Sequence, residues 1–254
     1  MQQMRADFSF NASELRDGNY NVLVYAEDNS GNEAISESYE LIVDRYDPYI
    51  GNCFSSVGVL GILPDENFIQ QSAVGVTQDF YVAVGGGASS VKLIESARGV
   101  SLDLSYLENM GLWKASFTYD QAGWWNFKVY AKDGAGNEKE KIIEPSYVSE
   151  GGKIISENGE EISDYEIEIY RYIADEDDWE IWDAQPFNQL NPSTSWNQKA
   201  LSFTLPQGTY YFVSKSDGYR KLTSEILELK QTTIVSPEFT MEKASFMASI
   251  PVLG

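Results

Sequence analysis

The densest group of acidic side chains in the sequence is Asp175-Glu176-Asp177-Asp178. Carboxylate oxygens are the ligands that Ca²⁺ prefers, and a short loop can offer several of them. The flanking segments, Tyr165–Ile173 and Trp179–Asp183, have the pattern of two hairpin arms, so a solvated hairpin tip is the alternative. Asp175, Asp177 and Asp178 are therefore candidate calcium ligands, and calcium is the only cofactor that the sequence suggests.

A second group of oxygen donors occurs twice, as Asp-x-x-Gly-Asn-Glu beginning at Asp28 and again at Asp133. Calcium would accept such a set if backbone carbonyls and a second loop completed it. Asp and Asn are also common in turns because their side chains bond to their own backbone. We expect plain turns at both positions.

Three tryptophans, Trp179, Trp182 and Trp196, fall within 18 residues of one another, among several amides. Exposed aromatic rings beside amides and acids can hold sugars by stacking on their apolar faces, whereas buried rings pack in a core. The sequence leaves both interpretations open, and the three tryptophans are candidate ligand-binding residues for a polysaccharide.

The composition excludes several kinds of chemistry. The chain has no histidine and one cysteine, Cys53. Nucleophile–histidine pairs, the commonest zinc ligand and an intramolecular disulfide are therefore absent, and we do not expect an enzyme. Asn11 begins an Asn-Ala-Ser sequon, a candidate glycosylation site if the host and the export route allow it.

The net charge of −21 limits the kinds of partner that the chain can bind. Nucleic acid and anionic membranes would repel such a chain, whereas divalent cations and basic partners would not. Solubility is the simpler reason for the acidity. Residues 1–10 lack the pattern of a signal peptide, and residues 244–254 are expected to be a linker or the approach to a C-terminal membrane anchor.

The elements that position these residues are organised around a repeat. Gly18–Glu33 returns as Gly123–Glu138 with Gly, Asn, Val, Tyr, Ala, Asp, Gly, Asn and Glu in register. Each copy alternates apolar and polar residues before the Asp–Asn turn, which predicts a half-buried strand, a tight turn and a returning strand. Tyr20, Val22 and Val24 should face a core, as should Trp125, Phe127 and Val129, while Tyr25 and Tyr130 face outward.

This signature, G-x-Y-x-V-x-V-x-A-x-D-x-x-G-N, resembles the last hairpin of the immunoglobulin-like modules that occur in tandem in prokaryotic surface and secreted proteins. The resemblance implies a β-sandwich for residues 47–145. Residues 1–46 would be only the C-terminal part of such a module, with strands at residues 6–11, 19–26 and 34–43. We expect the missing part to precede this segment or, alternatively, to be donated by another subunit.

Within residues 47–145, the glycine run Gly85–Gly87 lies between two predicted strands, residues 80–84 and 91–95. No Gly-Lys-Ser/Thr follows the run, so we interpret it as a strand-to-strand loop and not as a phosphate-binding loop. Two linkers are predicted, Asp44–Pro48 and Pro145–Gly152.

Residues 146–243 have another pattern, with strict alternation over Tyr165–Tyr172 and a later run Leu-Pro-Gln-Gly-Thr-Tyr ending in Asp-Gly-Tyr219. This is similar to carboxypeptidase-regulatory-like and Cna-B-like domains, which implies a transthyretin-like sandwich of the kind that forms stalks or spacers. Some Cna-B-like domains carry a Lys–Asn crosslink. Lys153 lies on the expected first strand, but the expected last strand, Thr232–Lys243, contains no Asn.

The sequence thus predicts an all-β chain of tandem antiparallel β-sandwiches: immunoglobulin-like, immunoglobulin-like and transthyretin-like. The expected role is a non-catalytic spacer, stalk, surface-layer or adhesin segment of an extracellular prokaryotic protein. Its partners would be other copies or neighbouring modules. The alternative is a set of accessory ligand- or carbohydrate-binding modules of a larger secreted enzyme.

Overall fold

The computed structural model describes residues 9–196 and 201–244. It confirms the all-β class: apart from the 3-10 turns at Ala12–Glu14 and Gln185–Phe187, the regular elements of these residues are strands. Most strand pairs are antiparallel, and no helix in the described ranges is long and apolar enough to cross a membrane. We refer to residues 9–46, 47–149 and 150–244 as the first, second and third modules.

The first module consists of two separate strand pairs. Its strands are Gly18–Val22 (β1), Tyr25–Glu27 (β2), Glu33–Ile35 (β3) and Tyr39–Val43 (β4). β1 pairs with β4 and β2 pairs with β3, both antiparallel. The strand predicted at residues 6–11 lies partly outside the described residues, and Ser9–Asn11 are not in a strand.

The strands predicted at residues 19–26 and 34–43 are each interrupted, because the chain changes its hydrogen-bonding partner midway. The hydroxyl of Ser36 accepts a hydrogen bond from the Val24 amide at 2.9 Å, and the Ser36 amide donates to the Val24 carbonyl at 2.9 Å. A side chain thus replaces one backbone contact where the ladder breaks. Alternation along a strand indicates which residues share a face, but not which neighbour each half pairs with.

The second module is a complete sandwich. One sheet has the order β10-β9-β14-β15, a second has the order β11-β12-β8-β5-β6, and a third has the order β13-β16-β7. The strands are Tyr49–Val57 (β5), Leu60–Ile62 (β6), Gln70–Ala73 (β7), Thr77–Gly85 (β8), Ala88–Glu95 (β9), Val100–Asp103 (β10), Ser105–Leu107 (β11), Leu112–Thr118 (β12), Gly123–Trp125 (β13), Lys128–Asp133 (β14), Glu138–Ile142 (β15) and Ser146–Ser149 (β16).

The core of the second module confirms the predicted register of the second repeat copy. Trp125, Phe127 and Val129 are at most 1% exposed, whereas Tyr130 is only half-buried. Phe127 packs against Phe80 of β8 with ring centroids 5.4 Å apart. The glycine run is a turn as predicted: Gly86 and Gly87 alone separate β8 from β9, with φ of +77° and +67°.

The predicted linker at Pro145–Gly152 is wrong in its first half. Residues Ser146–Ser149 form β16, which pairs antiparallel with β13 and parallel with β7. Val148 is fully buried in the core of the second module. A strand this short, flanked by Pro145 and two glycines, has the local composition of a linker, and only its tertiary partners make it a strand.

The third module is built around β18 and β22. Its strands are Lys153–Ser156 (β17), Glu166–Ile173 (β18), Asp178–Ile181 (β19), Ser193–Thr194 (β20), Phe203–Leu205 (β21), Gly208–Lys215 (β22), Leu222–Thr223 (β23), Leu227–Leu229 (β24), Thr233–Val235 (β25) and Glu238–Met241 (β26). β18 lies between β19 and β22, and the first and last strands, β17 and β26, pair in parallel. Ile167, Ile169 and Phe212 contribute to a core separate from that of the second module.

Candidate functional site

The two Asp–Asn turns have the same geometry. In the second module, one carboxylate oxygen of Asp133 accepts from the amides of Ala135, Gly136 and Asn137, and the other accepts from the Asn137 side chain at 2.8 Å. In the first module, Asp28 accepts from the Asn32 side chain at 2.7 Å and from the Asn32 amide at 3.0 Å. Both aspartates are thus engaged in their own turns, as expected from turn chemistry.

The turn at Asp133 also holds the linker between the first two modules. The side-chain amide of Asn137 donates to the carbonyl of Asp44 at 3.0 Å, and Lys139 lies 3.3 Å from Asp47. The linker backbone at Pro48 passes so close to Gly86 that a Cβ there would approach it to 3.2 Å. The turn of the second copy is therefore a junction element as well as a hairpin end, a role that the sequence pattern did not reveal.

The acidic cluster forms a hairpin tip. β18 and β19 are the predicted arms, with Ile173 opposite Asp178. Asp177 adopts a left-handed conformation at φ +53° and accepts a hydrogen bond from the Tyr172 hydroxyl. That bond to a carboxylate raises the pKa of Tyr172. Within residues 9–196 and 201–244, no three acidic or cysteine side chains are placed to share a metal ion, and Asp175, Asp177 and Asp178 are no exception.

The three candidate tryptophans are not brought together. Trp182 is 3% exposed and stacks on Phe187 in the third-module core, with ring centroids 5.7 Å apart. Trp179 lies on the opposite face of the sheet against Tyr211, with ring centroids 4.7 Å apart. Trp196 is 85% exposed and occupies a third place. The sequence window therefore combined one core residue with two residues on different surfaces.

Trp179 belongs instead to a cluster of aromatic side chains that the sequence analysis missed. Tyr170 and Tyr211 lie opposite each other on β18 and β22 and stack with ring centroids 4.8 Å apart. Tyr172 and Trp179 form the next cross-strand pair, at 5.4 Å. Such pairs stabilise a sheet. Their alternation on β18 was visible in the sequence, but the partners on β19 and β22 were not.

Trp196 stands at the edge of a cleft of about 340 Å³ in the third module. Its indole N–H donates to a carboxylate oxygen of Asp164 at 3.3 Å. Lys215 bridges Glu166 and Glu168 on the same side of the sheet, which lowers the pKa of Glu168. The cleft is lined by Asp164, Tyr165, Glu166, Thr194, Trp196, Lys215, Ser216 and Asp217. It combines an exposed aromatic ring with carboxylates, which accept hydrogen bonds, and hydroxyl groups, which both donate and accept; sugar hydroxyls can bond to both kinds of group.

A second cleft, of about 450 Å³, lies between the second and third modules. The second module contributes residues around Val57 and Val76, and the third contributes residues from Phe187 to Leu190 and from Ser202 to Thr204. Nearby, the side chain of Gln231 donates to the Leu63 carbonyl at 3.5 Å. The lining carries no acidic or basic side chain, and we interpret this cleft as the junction of the two modules.

The remaining candidates have simple environments. Asn11 is exposed and caps the 3-10 turn by accepting from the Ser13 amide at 2.9 Å. Cys53 packs against the second-module core, and burial together with the nearby Glu144 carboxylate raises the pKa of its thiol to about 12. Such a thiol is a poor nucleophile near neutral pH. Lys153 forms a 3.4 Å ion pair with Glu238 on the adjacent strand.

No protein-family profile and no curated protein matches the chain. Similar solved structures include dimeric latent PorU from Porphyromonas gingivalis, at 13% identity and a TM-score of 0.30 over 93% of this chain and 25% of that one. A tetra-tandem repeat in the extending region of a large adhesion protein matches at 13% identity and 0.29, over 86% of this chain and 58% of that one. A Ca²⁺-stabilized adhesin from an Antarctic bacterium matches at 12% and 0.28, over 87% and 56%.

The chain thus spans about a quarter of PorU and less than two thirds of either adhesin. Similarities at these TM-scores carry no argument about function. The functional argument therefore depends on the residues of this chain.

Proposed function

We propose that the chain is a non-catalytic structural segment of an extracellular prokaryotic protein, in which tandem β-modules act as a spacer, a stalk or part of a surface layer or adhesin. The observation that carries the proposal is the repeat with its junction. The first two modules each contain a copy of the same hairpin, and the copies are offset by 105 residues, as from Gly18 to Gly123. The turn of the second copy binds the linker between the modules through a hydrogen bond from Asn137. A held junction sets the direction in which one module follows another, which suits a spacer.

Small-angle X-ray scattering tests this proposal. A compact chain of this length would have a radius of gyration of about 18 Å, and we expect a clearly larger value with a well-defined maximum dimension. Replacing the linker Asp44–Pro48 by five Gly and Ser residues should broaden the distance distribution. A Gly and Ser replacement of residues 108–111, the exposed turn between β11 and β12, is the control. A radius of gyration near 18 Å for the natural chain would contradict the spacer role.

The cleft at Trp196 supports a second candidate function, binding of a neutral polysaccharide. The exposed indole can stack on a sugar ring, and Asp164 and Ser216 can bond to its hydroxyl groups. Affinity electrophoresis against a panel of neutral polysaccharides would detect retardation that Trp196→Ala removes. Trp124→Ala is the matched control, because Trp124 is also exposed, at 49%, but lies in the second module. Retardation that is equal in both variants would exclude this cleft.

A further inference from the structure

The first module presents a hydrophobic sheet face that no described residue covers. Every residue from 9 to 46 is exposed or half-buried, including Tyr20, Val22 and Val24 on that face. Their counterparts in the second module, 105 positions later, are Trp125, Phe127 and Val129, and these are at most 1% exposed. The same elements are therefore covered in one module and open in the other.

The correspondence extends to individual strand pairs. Gly18 pairs with Val43 as Gly123 pairs with Val148, and the offset is 105 in each strand. It recurs in the hairpin, where Tyr25 pairs with Ile35 as Tyr130 pairs with Glu140. The first module thus has the backbone arrangement of the C-terminal part of the second.

Side-chain contacts follow the same offset. The Tyr20 hydroxyl donates to the Arg16 carbonyl at 2.7 Å, and the Trp125 indole donates to the Gln121 carbonyl at 3.0 Å. These four positions, like the Asp–Asn turns, differ by 105 residues. Because so many independent contacts coincide, the second module shows what belongs on the open face of the first.

In the second module, that face is covered by residues 49–118. Phe80 of β8 packs on Phe127, and Phe117 of β12 lies with its ring centroid 5.1 Å from that of Trp125. The same segment supplies β9, which pairs with the edge of β14 opposite to β15. In the first module, β2 pairs with β3 alone among the described residues. It also places Arg98 over Trp125, with its guanidinium 4.2 Å from the ring.

We propose that the open face of the first module is covered by a half-module equivalent to residues 49–118, supplied by the same polypeptide on the N-terminal side of this face. The single copy of such a half-module among the described residues is already packed on the second hairpin, so a second copy of this chain has none to spare. In the second module, the covering strands directly precede the hairpin that they cover. Burial and register carry this inference, which is independent of the spacer role.

A chimera tests the proposal. Residues 1–17 are replaced by a second copy of residues 47–122 that continues directly into Gly18, and the rest of the chain is kept. A second copy of the covering strands then precedes the first module in the register of the second. Hydrogen exchange measured by mass spectrometry compares residues 18–43 with residues 123–149. In the natural chain as a monomer, we expect amides of residues 18–43 to exchange at least about 100-fold faster. In the chimera, the two segments should exchange at similar rates.

Two matched variants show whether the added half-module acts through this face. Phe80→Asp in the duplicated copy only should return residues 18–43 to fast exchange, and Val24→Asp in the chimera should do the same. Slow exchange of residues 18–43 in the monomeric natural chain would overturn the proposal, because it would show a complete first module. Protection that appears only at concentrations where the natural chain dimerises would also overturn it and would assign the face to a second copy.

Discussion

Asp133 shows how much one turn residue does in this chain. Its carboxylate accepts hydrogen bonds from the side-chain amide of Asn137 and from several backbone amides, and these bonds lower the pKa of Asp133. A carboxylate whose pKa is lower in the folded than in the unfolded state stabilises the fold above the unfolded value, about 3.9, and loses that effect as the pH falls through the folded value. In the first module, the Asp28 carboxylate accepts from the Asn32 side chain and from the amides of Asn32 and Ser30, and these bonds lower its pKa.

We therefore expect Asp133→Asn to lower the melting temperature of the second module at pH 7 and to flatten its dependence on pH below about 4. Thermal melts between pH 2 and 7 measure both effects. Asp120→Asn, at an exposed position, is the control and should leave the curve of the natural chain unchanged. If Asp133→Asn kept the full acid dependence, the turn would not be its source.

Val129 and Val24 form a matched pair that isolates the effect of burial. Val129 is completely buried, whereas Val24, its counterpart, is half-buried. Val129→Asp should cost about 3 kcal/mol or more, because it places an unpaired charge in the core. Val24→Asp in the natural chain should cost far less. Urea unfolding monitored by far-ultraviolet circular dichroism compares them, because the first module contains no tryptophan to report its unfolding. Equal losses would contradict the difference between the two modules.

At the scale of elements, the entry into the third module depends on one glycine. A Cβ on Gly152 would lie 2.3 Å from the carbonyl oxygen of Leu201 and 2.5 Å from that of Pro237. Both atoms belong to the backbone and cannot move away cheaply. Gly152 also donates to Leu201 at 3.0 Å, which brings β17 to its place beside β26.

Gly152→Ala should therefore destabilise the third module by about 1–3 kcal/mol, the usual range for overpacking. Gly134→Ala is the matched control, because a Cβ there meets nothing within 4 Å. In differential scanning calorimetry, the transition of the third module should move to a lower temperature in Gly152→Ala and should not move in Gly134→Ala. Equal shifts in the two variants would mean that the third module accommodates the added methyl group at Gly152 without loss of stability.

Sequence patterns predicted the repeat hairpin, its turn and the faces of its residues, because these depend on local alternation and on residues that favour turns. They did not predict β16 or the interruption between β1 and β2, because both depend on which distant strand supplies the hydrogen bonds. The tryptophans show the same limit. Trp182 and Trp196 are chemically identical, and only the packing of the third module buries one and exposes the other.

At the scale of the whole molecule, the net charge of −21 should make stability depend on salt. Screening reduces repulsion between like charges. Screening depends on ionic strength and not on which divalent cation supplies it, so we expect Ca²⁺ and Mg²⁺ at equal ionic strength to raise the melting temperature equally and without saturation.

Melting curves at matched ionic strength measure this, with NaCl as the reference. A saturable increment specific to Ca²⁺ would contradict our expectation. If Asp177→Asn then removed that increment, the calcium site predicted at Asp175, Asp177 and Asp178 would be supported. A site at 100-fold excess of free calcium over its dissociation constant would add about 2.7 kcal/mol.

The parallel pairing of β17 with β26 has a mechanical consequence for a chain held under tension. Lys153 lies opposite Glu238 and Ser156 opposite Met241, so the first and last strands of the third module run side by side in the same direction. A pull on the two ends of the module draws β17 toward its N-terminal end and β26 toward its C-terminal end. The bonds between them are then loaded together in shear and do not open one at a time, so the strands that enter and leave the module also form its clamp against extension.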